Sequence, residues 1–190
     1  MPPPMLQTLH LTLGEYDQMV KIGAFEHVDR RVELLRGALI EANPAGPVHD
    51  DFIAYLTTWS AQHIDPSRTS LTAQTGLDLP EVDSRPEPDL FWVKAGRYRD
   101  HHPRAADVQL AIEVADSSLT KDLEVKRLLY AEVKVLEYWI VDCRSHCIHV
   151  FRASNGVDYQ TQFVVAAGDQ LSPLIAPSAN LDLKDLFEGN

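Results

Sequence analysis

At 190 residues, with 45% apolar and 24% charged content, the chain has the length and composition of one globular domain able to fold around its own core. A net charge of −11 excludes a generic nucleic-acid coat, which needs a basic surface to release counterions, although an enzyme can still touch DNA through one local basic patch. No apolar run approaches the roughly 18 residues of a membrane span, Met1-Pro2-Pro3-Pro4 lacks a signal-peptide pattern, and two cysteines, Cys143 and Cys147, make no disulfide framework; a cytoplasmic protein is expected.

In chain order, residues 1–11 read as a loose lead-in to a single domain over 1–190. Thr12-Leu13-Gly14-Glu15 has capping-box spacing and predicts a short helix to about residue 20. Arg31-Val32-Glu33-Leu34-Leu35 and Ala38-Leu39-Ile40-Glu41-Ala42, joined through Arg36-Gly37, predict a hairpin. A loop over 43–47 leads into a helix over 48–63, with Phe52, Ile53, Leu56 and Trp59 on one face. Strands are expected over 70–79, 89–93 and 108–114, with a polar turn at 80–87. A helix over 117–134, strands over 136–142, 148–152 and 159–165, and a helix over 181–187 follow. The strand–helix–strand unit over 108–142 predicts a parallel crossover. The whole is an α/β sheet sandwiched by helices, with its polar residues on the middle strands.

Those polar residues carry the chemistry. Asp89 opens one apolar run and Glu113 closes another, Leu110-Ala111-Ile112. Carboxylates at strand edges are costly unless a cation satisfies them, and magnesium commonly takes one or two carboxylates plus water and phosphate. Loop caps at strand ends have the same pattern, so the pair alone leaves both readings open. A nuclease of this kind usually carries a lysine two residues after the second acid, where this chain has Ala115. On the following helix Asp122, Lys126 and Tyr130 recur at i, i+4 and i+8 as one polar stripe. An ideal wheel buries Val125, Leu128, Leu129 and Val133 and sets Lys126 on the flank, either snorkelling to water or aimed at Glu113.

Arg85-Pro86-Glu87-Pro88-Asp89-Leu90, Ile112-Glu113-Val114-Ala115-Asp116-Ser117-Ser118, the stretch from Asp122 to Lys126, Tyr130-Ala131-Glu132 and Glu137-Tyr138-Trp139-Ile140-Val141-Asp142 resemble, in order, the motifs of the Uma-type restriction endonucleases. These are a bacterial branch of the PD-(D/E)xK nuclease superfamily, and the resemblance spans about 16–187. It implies a restriction-endonuclease-like α/β fold, a mixed central sheet flanked by helices with an N-terminal hairpin extension. It also implies a Mg2+ or Mn2+ site at Asp89 and Glu113, with Lys126 replacing the strand lysine. Val32-Glu33-Leu34-Leu35-Arg36-Gly37 resembles the family's early hairpin and His49 a histidine before its first core helix, which makes Glu33 and His49 secondary candidates; a plain ion pair and a helix cap are their alternatives. Asp122 and Tyr130 are expected to orient Lys126. The chain departs from the family at Lys134-Val135-Leu136, where a glycine turn is usual, and at Cys143, where proline is.

Two further features stand apart. The loop between the two acidic strands carries Arg97, Arg99 and Arg104 and is either a DNA-phosphate contact or a solvated loop. Cys143, His146, Cys147 and His149 are compact in sequence, but they match no common zinc spacing and lie on a tight hairpin that alternates their faces. The expected function is a metal-dependent endonuclease hydrolysing DNA phosphodiester bonds. The alternative is a catalytically inactive nuclease-like domain that binds nucleic acid or a protein partner. A homodimer is implied by the resemblance alone.

Overall fold

The computed structural model describes residues 8–41 and 46–189. The lead-in expected over 1–11 therefore falls outside the described residues as far as residue 7, and the loop over 43–47 as far as residue 45. Helix α1 (Leu13–Lys21) starts as its spacing predicts: Thr12 accepts from the Glu15 N–H at 3.2 Å, and the Glu15 carboxylate accepts from the Thr12 N–H at 2.8 Å. Strands β1 (Val32–Leu35) and β2 (Ala38–Glu41) form the hairpin. Its two-residue turn puts both Arg36 and Gly37 at left-handed φ, the geometry that follows strand twist. Helix α2 (Pro47–His63) buries Phe52, Leu56 and Trp59 on one side, with Ile53 partly covered beside them.

Six strands make the main sheet: β3 (Thr69–Ala73), β4 (Leu90–Lys94), β5 (Val108–Ala115), β6 (Glu137–Asp142), β7 (Cys147–Ser154) and β8 (Tyr159–Ala166). They lie side by side in chain order, and every neighbouring pair is antiparallel except β5–β6, which is parallel. The sheet is thus mixed, with helices on both faces. The parallel pair is bridged by a helix, α3, made of Leu119–Lys121, a π-turn at Asp122–Lys126 and Arg127–Glu132. A short pair, β9 (Gln170–Leu171) and β10 (Leu181–Asp182), precedes the terminal helix α4 (Leu183–Glu188).

Strands β4 to β6 are buried on both faces, which is why they read as largely apolar runs. One face packs Leu90, Trp92, Leu110, Ile112, Trp139 and Val141 against α2 and the C-terminal segment. The other packs Phe91, Ala111, Tyr138 and Ile140 against Leu129, Tyr130 and Ala131 of α3. Among the described residues no helix is long and apolar enough to cross a membrane.

Two expectations change. The strand expected over 70–79 stops at Ala73, because Gln74 turns to φ +48° and no strand continues through that angle. The buried arc of α3 runs through Asp122, Lys126, Leu129 and Tyr130, and Val125 is 39% exposed. The ideal wheel fails here because the Arg127 N–H reaches back five residues to the Asp122 carbonyl, which widens the turn and shifts the phase.

Candidate active site

Glu113 alternates with Ala111 and Ala115 on the α3 face of β5, since Ile112 and Val114 face α2. Leu90 pairs with Ile112, so Asp89, at the entry to β4, stands beside the end of β5. The Val114 N–H donates to Asp89 Oδ2 at 2.8 Å, and His49 Nε2 lies 3.2 Å from Asp89 Oδ1. From α3, Lys126 Nζ donates to Glu113 Oε1 at 2.8 Å and to Glu33 Oε1 at 3.0 Å, with all three side chains only 3–4% exposed. Tyr130 OH donates to the same Glu113 oxygen at 3.1 Å. Lys126 points inward.

The structure brings Asp89, Glu113, Lys126, Glu33, His49 and Asp122 onto the wall of one cavity of 70 Å³. That volume is far below the several hundred Å³ of a drug-sized ligand site and suits an ion with a few waters. Two expected contacts differ. Tyr130 holds Glu113 and not Lys126. Asp122 accepts from the Ser118 hydroxyl through Oδ2, and its Oδ1 is buried with no hydrogen-bond partner. Glu33, a secondary candidate in the sequence, sits at the centre: besides Lys126 it accepts from the Glu87 N–H at 2.9 Å, and its Oε2 has no hydrogen-bond partner.

Lys121 was not anticipated; its Nζ lies 3.8 Å from Glu33 Oε2. A spacing of five from Lys126 is no neighbour spacing on an α-helix, so the stripe passed it over. Arg31 and Glu87 also line the cavity and pair with each other at 2.5 Å.

The electrostatics follow from six acidic residues lining the cavity (Glu33, Glu87, Asp89, Glu113, Asp116, Asp122) against Arg31, His49, Lys121 and Lys126. Burial and the neighbouring Asp89, Asp122 and Glu33 push the Glu113 carboxyl well above the carboxylate range, with Lys126 opposing. Burial disfavours charge on Lys126, but Glu113, Glu33 and Asp122 outweigh it and keep the ammonium protonated. Burial also opposes charge on Asp89; the hydrogen bonds from His49 and Val114 overcome it and hold the acid below its ordinary value. The bond to Asp89 correspondingly raises His49.

Arg97, Arg99 and Arg104 are exposed and do not line this cavity. Their loop leaves the far end of β4, where Val93 pairs with Val108, and five strand residues put that end roughly 15 Å from Asp89. Joining the two acidic strands places the loop at the end of both opposite the acids. The Cys/His set is likewise split by its hairpin: Cys143 Sγ faces the Val141 carbonyl and His146 stacks on Phe187, leaving Cys147 and His149 together.

A family model described as Uma2, "Putative restriction endonuclease", matches residues 13–184. The chain belongs to the Uma2 family. Among solved structures it is similar to "a putative nuclease belonging to DUF820" from Anabaena variabilis ATCC 29413, with TM-score 0.74 and 18% identity over 94% of this chain and 98% of the other. At that identity the likeness speaks for the fold. No curated protein matches. Within this Uma2 chain, the position where the strand lysine of a nuclease would stand is Ala115, 1% exposed and packed in the core beneath α3.

Proposed function

We propose that this Uma2 protein is a metal-dependent endonuclease that hydrolyses DNA phosphodiester bonds, with its catalytic lysine carried on α3 as Lys126 in place of the strand position. The observation that supports this reading is the buried 2.8 Å contact between Lys126 Nζ and Glu113 Oε1, beside Asp89.

The residues fit a hard dication. The donors are oxygens, carboxylates outnumber cations, and Glu33 Oε2 and Asp122 Oδ1 are buried without hydrogen-bond partners. Asp89 and Glu113 would hold Mg2+ or Mn2+, which supplies Lewis acidity toward the phosphate and a lowered pKa for bound water. The two donors to Glu113 converge on Oε1, so Oε2 is the oxygen left for an ion. Lys126 remains an ammonium; it orients the attacking water and offsets negative charge building on the phosphate oxygens. Glu33 holds that ammonium from its other side, Tyr130 fixes Glu113, and His49 fixes Asp89. Lys121 and Arg31 supply phosphate contacts in place of the distant loop arginines. One such site cuts one strand, so a homodimer belongs to the proposal for double-strand cleavage.

The test is nicking of supercoiled plasmid with Mg2+, with Mn2+ and with chelator, comparing wild type with Lys126→Ala and Glu113→Ala, each checked for folding by circular dichroism. Cation-dependent nicking that falls by about 10²-fold or more in both variants is expected. Nicking that persists in both variants identifies a contaminant and sinks the mechanism. DNA retention in a gel-shift assay without nicking by wild type establishes the non-cutting alternative.

A further inference from the structure

The hairpin that splits the Cys/His set assembles a different one. Asp142 and Cys147 are direct cross-strand partners in the β6–β7 register, and His149 follows Cys147 by two residues on the same face. Their ligand atoms all lie within 4.8 Å of one another. His149 Nε2 is 3.9 Å from both Cys147 Sγ and Asp142 Oδ2. Asp142 is fixed for this: its Oδ1 accepts from the Arg144 and Ser145 N–H groups at 3.0 Å each, which leaves Oδ2 facing the imidazole. Asp142 and Cys147 are buried, and the His149 side chain is 22% exposed, giving an entry path.

We propose that Asp142, Cys147 and His149 form a site for Zn2+ rather than Mg2+, separate from the carboxylate cavity and with its fourth position open to water. A thiolate, an imidazole and a carboxylate are the ligands of tetrahedral zinc, not of magnesium. Bonds of about 2.0–2.3 Å set neighbouring ligand atoms roughly 3.3–3.8 Å apart. Two of the three separations, at 3.9 Å, are therefore within a few tenths of an ångström of closure, and the third closes with a small side-chain rotation. Zinc binding would displace the Cys147 proton to solvent and leave Nε2 of a neutral His149 as the ligand. Cys143 and His146, which completed the sequence cluster, take no part.

Cobalt(II) is the probe, because a thiolate-to-cobalt charge-transfer band reports sulfur ligation, and Asp142–Cys147–His149 is distinguished by it from any cobalt at Asp89 and Glu113, where the cavity lining contains no cysteine. Titration of the full-length protein is expected to give one equivalent of Co2+ with that band, displaced by Zn2+. The band should vanish in Cys147→Ser, fall at least tenfold in apparent affinity in His149→Gln, and persist in Cys143→Ser. If Cys147→Ser fails to fold, His149→Gln against Cys143→Ser decides. Absence of the band in folded wild type, or its loss in Cys143→Ser with retention in His149→Gln, overturns the site.

Discussion

Replacing Lys126 with methionine removes one positive charge while keeping most of the side chain's volume. The ammonium lies 2.8 Å from Glu113 and 3.0 Å from Glu33, all nearly excluded from water. At an effective dielectric constant near 20, each contact is worth about 6 kcal/mol of Coulomb attraction. Dehydrating the ammonium offsets most of that in the wild type, yet stripping it out leaves two buried carboxylates without their shared cation, a loss of about 3–5 kcal/mol. That is a large share of an ordinary domain's stability of about 5–15 kcal/mol. The loss must also depend on pH. The Glu113 carboxyl is already raised by burial, and without Lys126 it rises further. A raised carboxyl binds its proton more tightly folded than unfolded, so its destabilising effect is absent at low pH and appears as pH climbs through the raised value. Urea unfolding followed by the fluorescence of the buried tryptophans at pH 5.5 and pH 8 measures both effects, with the larger deficit expected at pH 8. A deficit under about 1 kcal/mol at pH 8, or one equal at both pH values, would refute Lys126 as a buried countercharge.

Tyr130→Phe deletes a buried hydroxyl that donates to Glu113 and should cost about 1–3 kcal/mol, read from the shift in urea midpoint; an unchanged midpoint would mean the contact is idle. His49 is raised by its bond to Asp89, so its stabilisation is complete below the unfolded value of about 6.5 and is lost as pH rises through the folded one. His49→Gln should therefore destabilise more at pH 5.5 than at pH 8.5, and the reverse order would contradict the pairing. Ala at Arg97, Arg99 and Arg104 together should leave plasmid nicking unchanged, whereas Lys121→Ala should weaken DNA binding and reduce the slope of log affinity against log salt by about 1. Equal effects of the two changes would restore the loop as the DNA contact.

The sequence carried the sheet legibly because its central strands are buried on both faces, so β4, β5 and β6 appear as apolar runs whatever surrounds them. Thr12 and Glu15 were equally readable, since a capping box is local. The same holds for the acids Asp89 and Glu113, which bound apolar runs where charge is expensive. What escaped was long-range or backbone-borne. Gln74 ends β3 through its own φ, and nothing in its residue type announces that. The arginines of the β4–β5 loop stand away from the cavity for a reason of direction: an antiparallel pair brings together the start of one strand and the end of the next, so the acids meet at one end and the loop closes the other. Glu33 was visible only through family resemblance, because no spacing rule links a residue on β1 to one on α3 ninety-three positions later.

The π-turn joins these failures to the one success. In a regular α-helix, residues at i, i+4 and i+8 drift by about 40° per step, so Asp122 and Tyr130 would diverge by roughly 80°. Through the π-turn the chain advances by roughly 85° per residue instead of about 100°, which sets Lys126 slightly behind Asp122 before the α-helical step to Tyr130 carries the stripe forward again. Lys126 and Tyr130 then lie about 20° to either side of Asp122. Val125, one residue off that stripe, is 39% exposed. A strand lysine two residues after Glu113 needs only the period of a β-strand to share its face. Moving the lysine to a helix demands that the helix be aimed, and here the backbone irregularity does the aiming.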